Sequence, residues 1–143
     1  MASKYSNGMA ILAFAATAAM GASAFAETIT FKSTLKGADE VPATTSAATG
    51  AGEFTYDNAT KKLSYKITHT GLSGPATAAH IHGPAEAGKN AGVAVPFEKA
   101  ASPIEGSATL TDAQAADLVA GKMYVNVHTD ANKSGEIRGQ ITK

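Results

Sequence analysis

Beyond residue 26 the chain alternates apolar and polar positions in short bursts parted by turn residues, the period-2 pattern of β-strands. Thr28-Ile29-Thr30-Phe31-Lys32-Ser33-Thr34-Leu35 sets Ile29 and Phe31 against a Thr/Ser face. Gly52-Glu53-Phe54-Thr55-Tyr56-Asp57 alternates as well, and Asp57-Asn58-Ala59-Thr60 carries turn chemistry. Lys62-Leu63-Ser64-Tyr65-Lys66-Ile67-Thr68-His69 places Leu63, Tyr65, Ile67 and His69 on one side, so residues 53–67 predict a hairpin. Further strands are expected over residues 77–82, 106–110, 123–129 and 135–142. Residues 37–52, rich in Ala, Thr and Ser and carrying Pro42, predict a long surface loop, and Gly- and Pro-rich 83–90 a second one.

One helix breaks the pattern. Thr111 is placed to cap, Gln114 sits where a capping box needs it, and Gly121 stops the apolar body 115–120. Seven to eight short strands at a spacing of roughly ten residues, with one short helix, predict an all-β, antiparallel Greek-key β-sandwich or barrel.

The first 26 residues have a different character. Lys4 precedes an apolar stretch over residues 9–20 and a small-residue Ala24-Phe25-Ala26 site, which reads as a signal peptide with cleavage after Ala26. The apolar stretch is shorter than the ~20 residues that span a bilayer. The expectation is a signal peptide over 1–26, a single domain over 27–143, and a periplasmic or secreted product with no membrane attachment after cleavage. Twelve cationic side chains balance twelve acidic ones, which argues against a nucleic-acid partner. The chain has no cysteine, so a disulfide framework, a thiolate metal site and a cysteine nucleophile are all excluded.

The candidate chemistry lies in the histidines. Of four in the chain, His80 and His82 flank Ile81 on one strand, and neighbouring strand residues face opposite ways. If Ile81 enters the core, both imidazoles point outward, their Cα atoms roughly 7 Å apart at about 3.3 Å per residue. In the late strand Met123, Val125 and Val127 make the apolar face, while Tyr124, Asn126 and His128 make the other. His80, His82 and His128 would meet if the two strands are neighbours, giving three imidazole ligands of the kind that suits Cu, Zn, Ni and Fe, with Cu(II) the tightest divalent binder. His69 shares a face with Leu63, Tyr65 and Ile67, so a satisfied histidine at the core's edge is favoured, with a fourth ligand as the lesser reading. Asp39-Glu40 reads as solvated charge in its loop. Asp130-Ala131-Asn132-Lys133-Ser134-Gly135 reads as a tight turn, having too few acidic oxygens for calcium. No Gly-x-Ser-x-Gly occurs, so a hydrolase finds no support.

Gly71-Leu72, Ala79-His80-Ile81-His82-Gly83-Pro84-Ala85, Tyr124-Val125-Asn126-Val127-His128-Thr129 and Gly135-Glu136-Ile137-Arg138-Gly139-Gln140-Ile141 together resemble the chordin-type domain known as CHRD, over nearly the whole of 28–143. That resemblance implies an all-β domain of secreted proteins. A more remote likeness links Gly71-Leu72 with His80-Ile81-His82, and Val127-His128, to the copper-site segments of copper–zinc superoxide dismutases. It implies one copper per chain on His80, His82 and His128, with superoxide as a partner and Arg138 as a guide for the anion. The chain lacks a counterpart of the zinc-loop His/Asp cluster, because residues 84–94 contain neither type, so no zinc is expected. Copper storage or delivery without catalysis, and a metal-free structural or adhesive module, are the alternative readings.

Overall fold

In the computed structural model, which describes residues 26–143, the alternation becomes a wall. β1 (Thr28–Lys36) buries Phe31, Ser33 and Leu35 and exposes the residues between them. Ser33 therefore shares the face of Phe31 rather than joining the outward Thr set, because the ladder keeps strict parity. β1 pairs antiparallel with β2 (Thr49–Asp57), and β2 pairs with β3 (Lys62–Thr70) through the expected hairpin. Asp57 closes that turn by accepting from the Ala59 and Thr60 amides at 2.8 and 3.1 Å. β4 (Ala76–His82), β5 (Val93–Pro96), β6 (Ile104–Thr109), β7 (Tyr124–Thr129) and β8 (Ile137–Gln140) complete eight strands among the described residues.

The order β5-β4-β7-β8-β1-β2-β3-β6 curls into a nearly closed, barrel-like antiparallel sheet. The non-consecutive neighbours β4–β7, β8–β1 and β3–β6 make its connections Greek-key in type. β5 and β6 are the ends of the sheet, and Phe97 packs on Tyr65 with ring centroids 4.6 Å apart at the seam. One core fills the interior, with Phe31, Leu35, Phe54, Leu63, Ile67, Ile81, Val125, Val127 and Ile137 all at most 2 % exposed. A continuous core of this kind stands in for the disulfides the chain lacks. Among the described residues no helix is long and apolar enough to cross a membrane.

The helix α1 (Asp112–Val119) carries the expected capping box: Thr111 Oγ1 accepts from Gln114 N, and Gln114 Oε1 accepts from Thr111 N. Gln114 also donates to Ala94 O at 3.1 Å, which ties the helix to the β5 edge.

Three expectations are corrected. β5 was not foreseen, since four residues ending in a proline give too short an alternation to register. The loop expected over 37–52 ends at residue 48, because Gly50 and Gly52 belong to β2. A Cβ at Gly50 would lie 2.9 Å from Thr68 O, so those glycines mark close packing within the ladder rather than a loop. The last strand is confined to Ile137–Gln140, since Gly135 at φ +130° and the turn before it carry the chain into the ladder. The signal-peptide expectation falls on residues that, apart from Ala26, lie outside the described ones.

Candidate metal centre

β4 and β7 are hydrogen-bonded neighbours, and their register sets His80 against Asn126, His82 against Tyr124 and Ala78 against His128. Ile81, Val125 and Val127 point into the core and are fully buried, so parity turns His80, His82 and His128 to the other face. There the three rings converge, and one nitrogen from each lies within 4.8 Å of one from each of the others. Ring centroids are 5.4 Å apart for His80 and His82, 5.0 Å for His80 and His128, and 6.3 Å for His82 and His128. No carboxylate belongs to the group.

Each ring has a defined nitrogen to offer. His82 Nδ1 donates to Ala91 O at 3.0 Å and His128 Nδ1 donates to Lys133 O at 2.9 Å, so in the neutral tautomer each keeps its lone pair on Nε2. His80 Nδ1 faces His128 Nε2 at 3.2 Å. His82 Nε2 is buried and has no hydrogen-bond partner among the described residues, an arrangement that costs about 1–3 kcal/mol unless something occupies the lone pair. Burial, followed by the neighbouring His128 and His82 rings, pushes His80 below the usual histidine range. Burial likewise lowers His82, with His128 and Arg138 adding to the effect against the opposing Ala91 hydrogen bond. Both shifts favour the neutral ring, the form that ligates metal.

The face around these rings is not the open surface that parity alone implies. Tyr124 is 2 % exposed, Asn126 1 % and Arg138 5 %, because the loops over residues 37–48, 83–92 and 130–136 fold over the outside of β4, β7 and β8. Glu40, read as solvated charge, is buried there and accepts from Arg138 Nε at 3.2 Å and from Asn126 Nδ2. Burial raises the Glu40 carboxyl above its ordinary range despite the arginine beside it. Arg138, read as an anion guide, has its remaining nitrogens committed as well: Nη1 to Lys89 O at 3.0 Å and Nη2 to Asn90 Oδ1 at 2.6 Å. His69 stands apart on β3, opposite Gly50, with Nε2 2.7 Å from Ala100 O.

Glu136 is the polar residue that reading the sequence missed. It is fully buried at the end of the turn that presents Lys133 O, and it accepts from Ser46 Oγ, from Ser73 N and Oγ, from Thr129 Oγ1 and from Asn132 Nδ2. Burial alone would raise its pKa, but the hydrogen bonds from Ser73, Thr129 and Ser46 prevail and hold it at about 2. Parity is the physical signal for it in the sequence: Glu136 and Arg138 flank Ile137, which sends both to the side opposite the core.

No curated protein and no solved structure matches the chain. The family model described as the CHRD domain matches residues 31–141, which takes in every strand but the start of β1 and all three clustered histidines, and the chain belongs to the CHRD domain family.

Proposed function

We propose that this chain is an exported copper-binding β-domain, with one copper held by His80 Nδ1, His82 Nε2 and His128 Nε2. The observation that carries the reading is His82 Nε2, a buried nitrogen with no hydrogen-bond partner among the described residues, beside two other imidazoles. Carbonyls behind His82 and His128 supply the outer contacts that orient metal-bound histidines. Three imidazoles with no carboxylate favour copper, the tightest divalent binder at a nitrogen site, over zinc. The remote likeness to the copper segments of superoxide dismutases points the same way.

Three ligands leave positions at the metal for water or a small molecule, so the proposal extends to a redox-active centre of the copper-only superoxide dismutase type. A guanidinium with all its nitrogens engaged has little to offer an approaching anion, so exposed Lys89 and Lys133 are the better candidates to attract one. The signal-peptide reading of 1–26 places the domain 27–143 in the periplasm or outside the cell.

The test is a Cu(II) titration with EPR, alongside a His80→Ala/His82→Ala variant. One equivalent bound with a nitrogen-rich spectrum, lost in the variant, is the expected result. No stoichiometric binding would leave a structural module without metal. Equal superoxide removal by copper-loaded and chelator-treated protein would reduce the reading to storage or delivery.

A further inference from the structure

Behind the three rings runs a column of contacts that metal ligation does not by itself require. Tyr124 of β7 stands between His82 on β4 and Arg138 on β8. Its ring is stacked on the His82 imidazole, centroids 5.0 Å apart and planes 4° from parallel, and the Arg138 guanidinium carbon lies 4.0 Å from its centre. The Tyr124 hydroxyl accepts the Ala91 N–H at 3.1 Å, and Ala91 O in turn accepts the His82 Nδ1–H. Arg138 grips the same loop just upstream, through Lys89 O and Asn90 Oδ1, while Glu40 anchors the guanidinium from behind. One buried ring thus reaches His82 twice, by its face and through the loop.

An imidazole free to turn about its χ2 offers either nitrogen to a metal. A carbonyl behind one nitrogen selects the tautomer, and a stacked ring restricts the turn. We propose that Tyr124, backed by Arg138 and Glu40, is the positioning residue of the metal centre: it holds the 83–92 loop so that Ala91 O fixes His82 as its Nδ1–H tautomer and leaves Nε2 directed at the metal. The inference rests on the three-histidine reading above. A tyrosine that merely filled space would support stability and leave the state of His82 unchanged.

Three variants separate these roles. Tyr124→Phe keeps the stack and removes the hydroxyl, and Tyr124→Leu removes both. Asn90→Ala loosens the loop at an exposed residue and removes one Arg138 contact while leaving Tyr124 and Glu40 in place, so it serves even where the Tyr124 variants fail to fold. The readouts are the imidazole ¹⁵N shifts of His82 in the metal-free protein, the Cu(II) affinity and EPR spectrum, and the thermal midpoint. The wild type should show His82 protonated on Nδ1. Each variant should lose that uniform tautomer and bind Cu(II) roughly 10- to 100-fold more weakly with an altered spectrum, as is usual for outer-shell partners of metal ligands. Unchanged tautomer, affinity and spectrum would overturn the proposal, whatever happened to the midpoint. Wild-type protein that binds no copper would sink the metal reading, while the metal-free ¹⁵N shifts would still decide the positioning role.

Discussion

His80 Nδ1 lies 3.2 Å from His128 Nε2, a contact made across two neighbouring strands by residues 48 apart in sequence. In the neutral ring that donates Nδ1–H to Lys133 O, His128 Nε2 accepts and His80 is the donor. The metal-free site is therefore held together by an N–H···N bond that a metal replaces. Imidazole ¹⁵N shifts should show His80 protonated on Nδ1 without metal and lose that signature when Zn(II) is added as a diamagnetic probe. His128→Ala should weaken Cu(II) binding by more than the roughly 10- to 100-fold typical of an outer-shell change, since it removes a ligand outright. A smaller loss, read by competitive titration, would place the metal elsewhere.

Glu136 makes stability depend on acid. Its folded pKa of about 2 lies below the ordinary 4.5, so the unfolded chain binds the proton more readily. The stabilisation is full above the unfolded value and is lost as pH falls from about 4.5 towards about 2. At about 1.4 kcal/mol per pKa step the contribution is at most roughly 3 kcal/mol. Urea unfolding at pH 6, 4 and 3 should show this decline in the wild type and a flatter profile in Glu136→Gln.

Glu40 and Arg138 form a buried ion pair, with side chains 2 % and 6 % exposed. Removing one partner strands a charge in the interior and should cost about 3–5 kcal/mol. Glu40→Ala and Arg138→Ala should each reach that range by chemical denaturation, while the double variant loses clearly less than their sum. Additive losses would show that the two groups act independently.

Gly135 sits at φ +130°, where an added Cβ would collide with Asn126 Nδ2 and the Glu40 carboxylate. Gly135→Ala should therefore destabilise the fold by several kcal/mol, combining backbone strain with steric overlap (about 1–3 kcal/mol for the strain alone). It should also disturb the turn that carries Lys133 O, so copper affinity should fall along with stability. A variant as stable as the wild type would show that this turn is looser than its contacts indicate.

The outward direction of the histidines was legible on the condition that Ile81, Val125 and Val127 form the core face, and all three are fully buried. It could not show that β4 and β7 adjoin, since pairing between strands so far apart depends on how the whole barrel closes. Tyr124 and Asn126 were read as an outer face and are buried, because strand parity reports direction and is silent about loops folding over a sheet. Glu40 illustrates the same gap: an Asp-Glu pair in a polar loop carries no local sign that an arginine 98 residues away will draw one member inside. The helix was legible almost to the residue, since its capping box lies within four consecutive positions.

The seam between β5 and β6 divides the barrel unequally. β5 is held to β4 by three register pairs, whereas β1 and β2 share nine. Local opening should begin at that short edge, one strand from His80 and His82, and spread through the chain that leads by way of β6 and α1 to β7. A metal bound to β4 and β7 would act there as a rivet. It would cross-link residues 80–82 to residue 128 and enclose the least tethered stretch of the chain within one closed loop. Amide exchange should then slow most in β5, a strand that supplies no ligand.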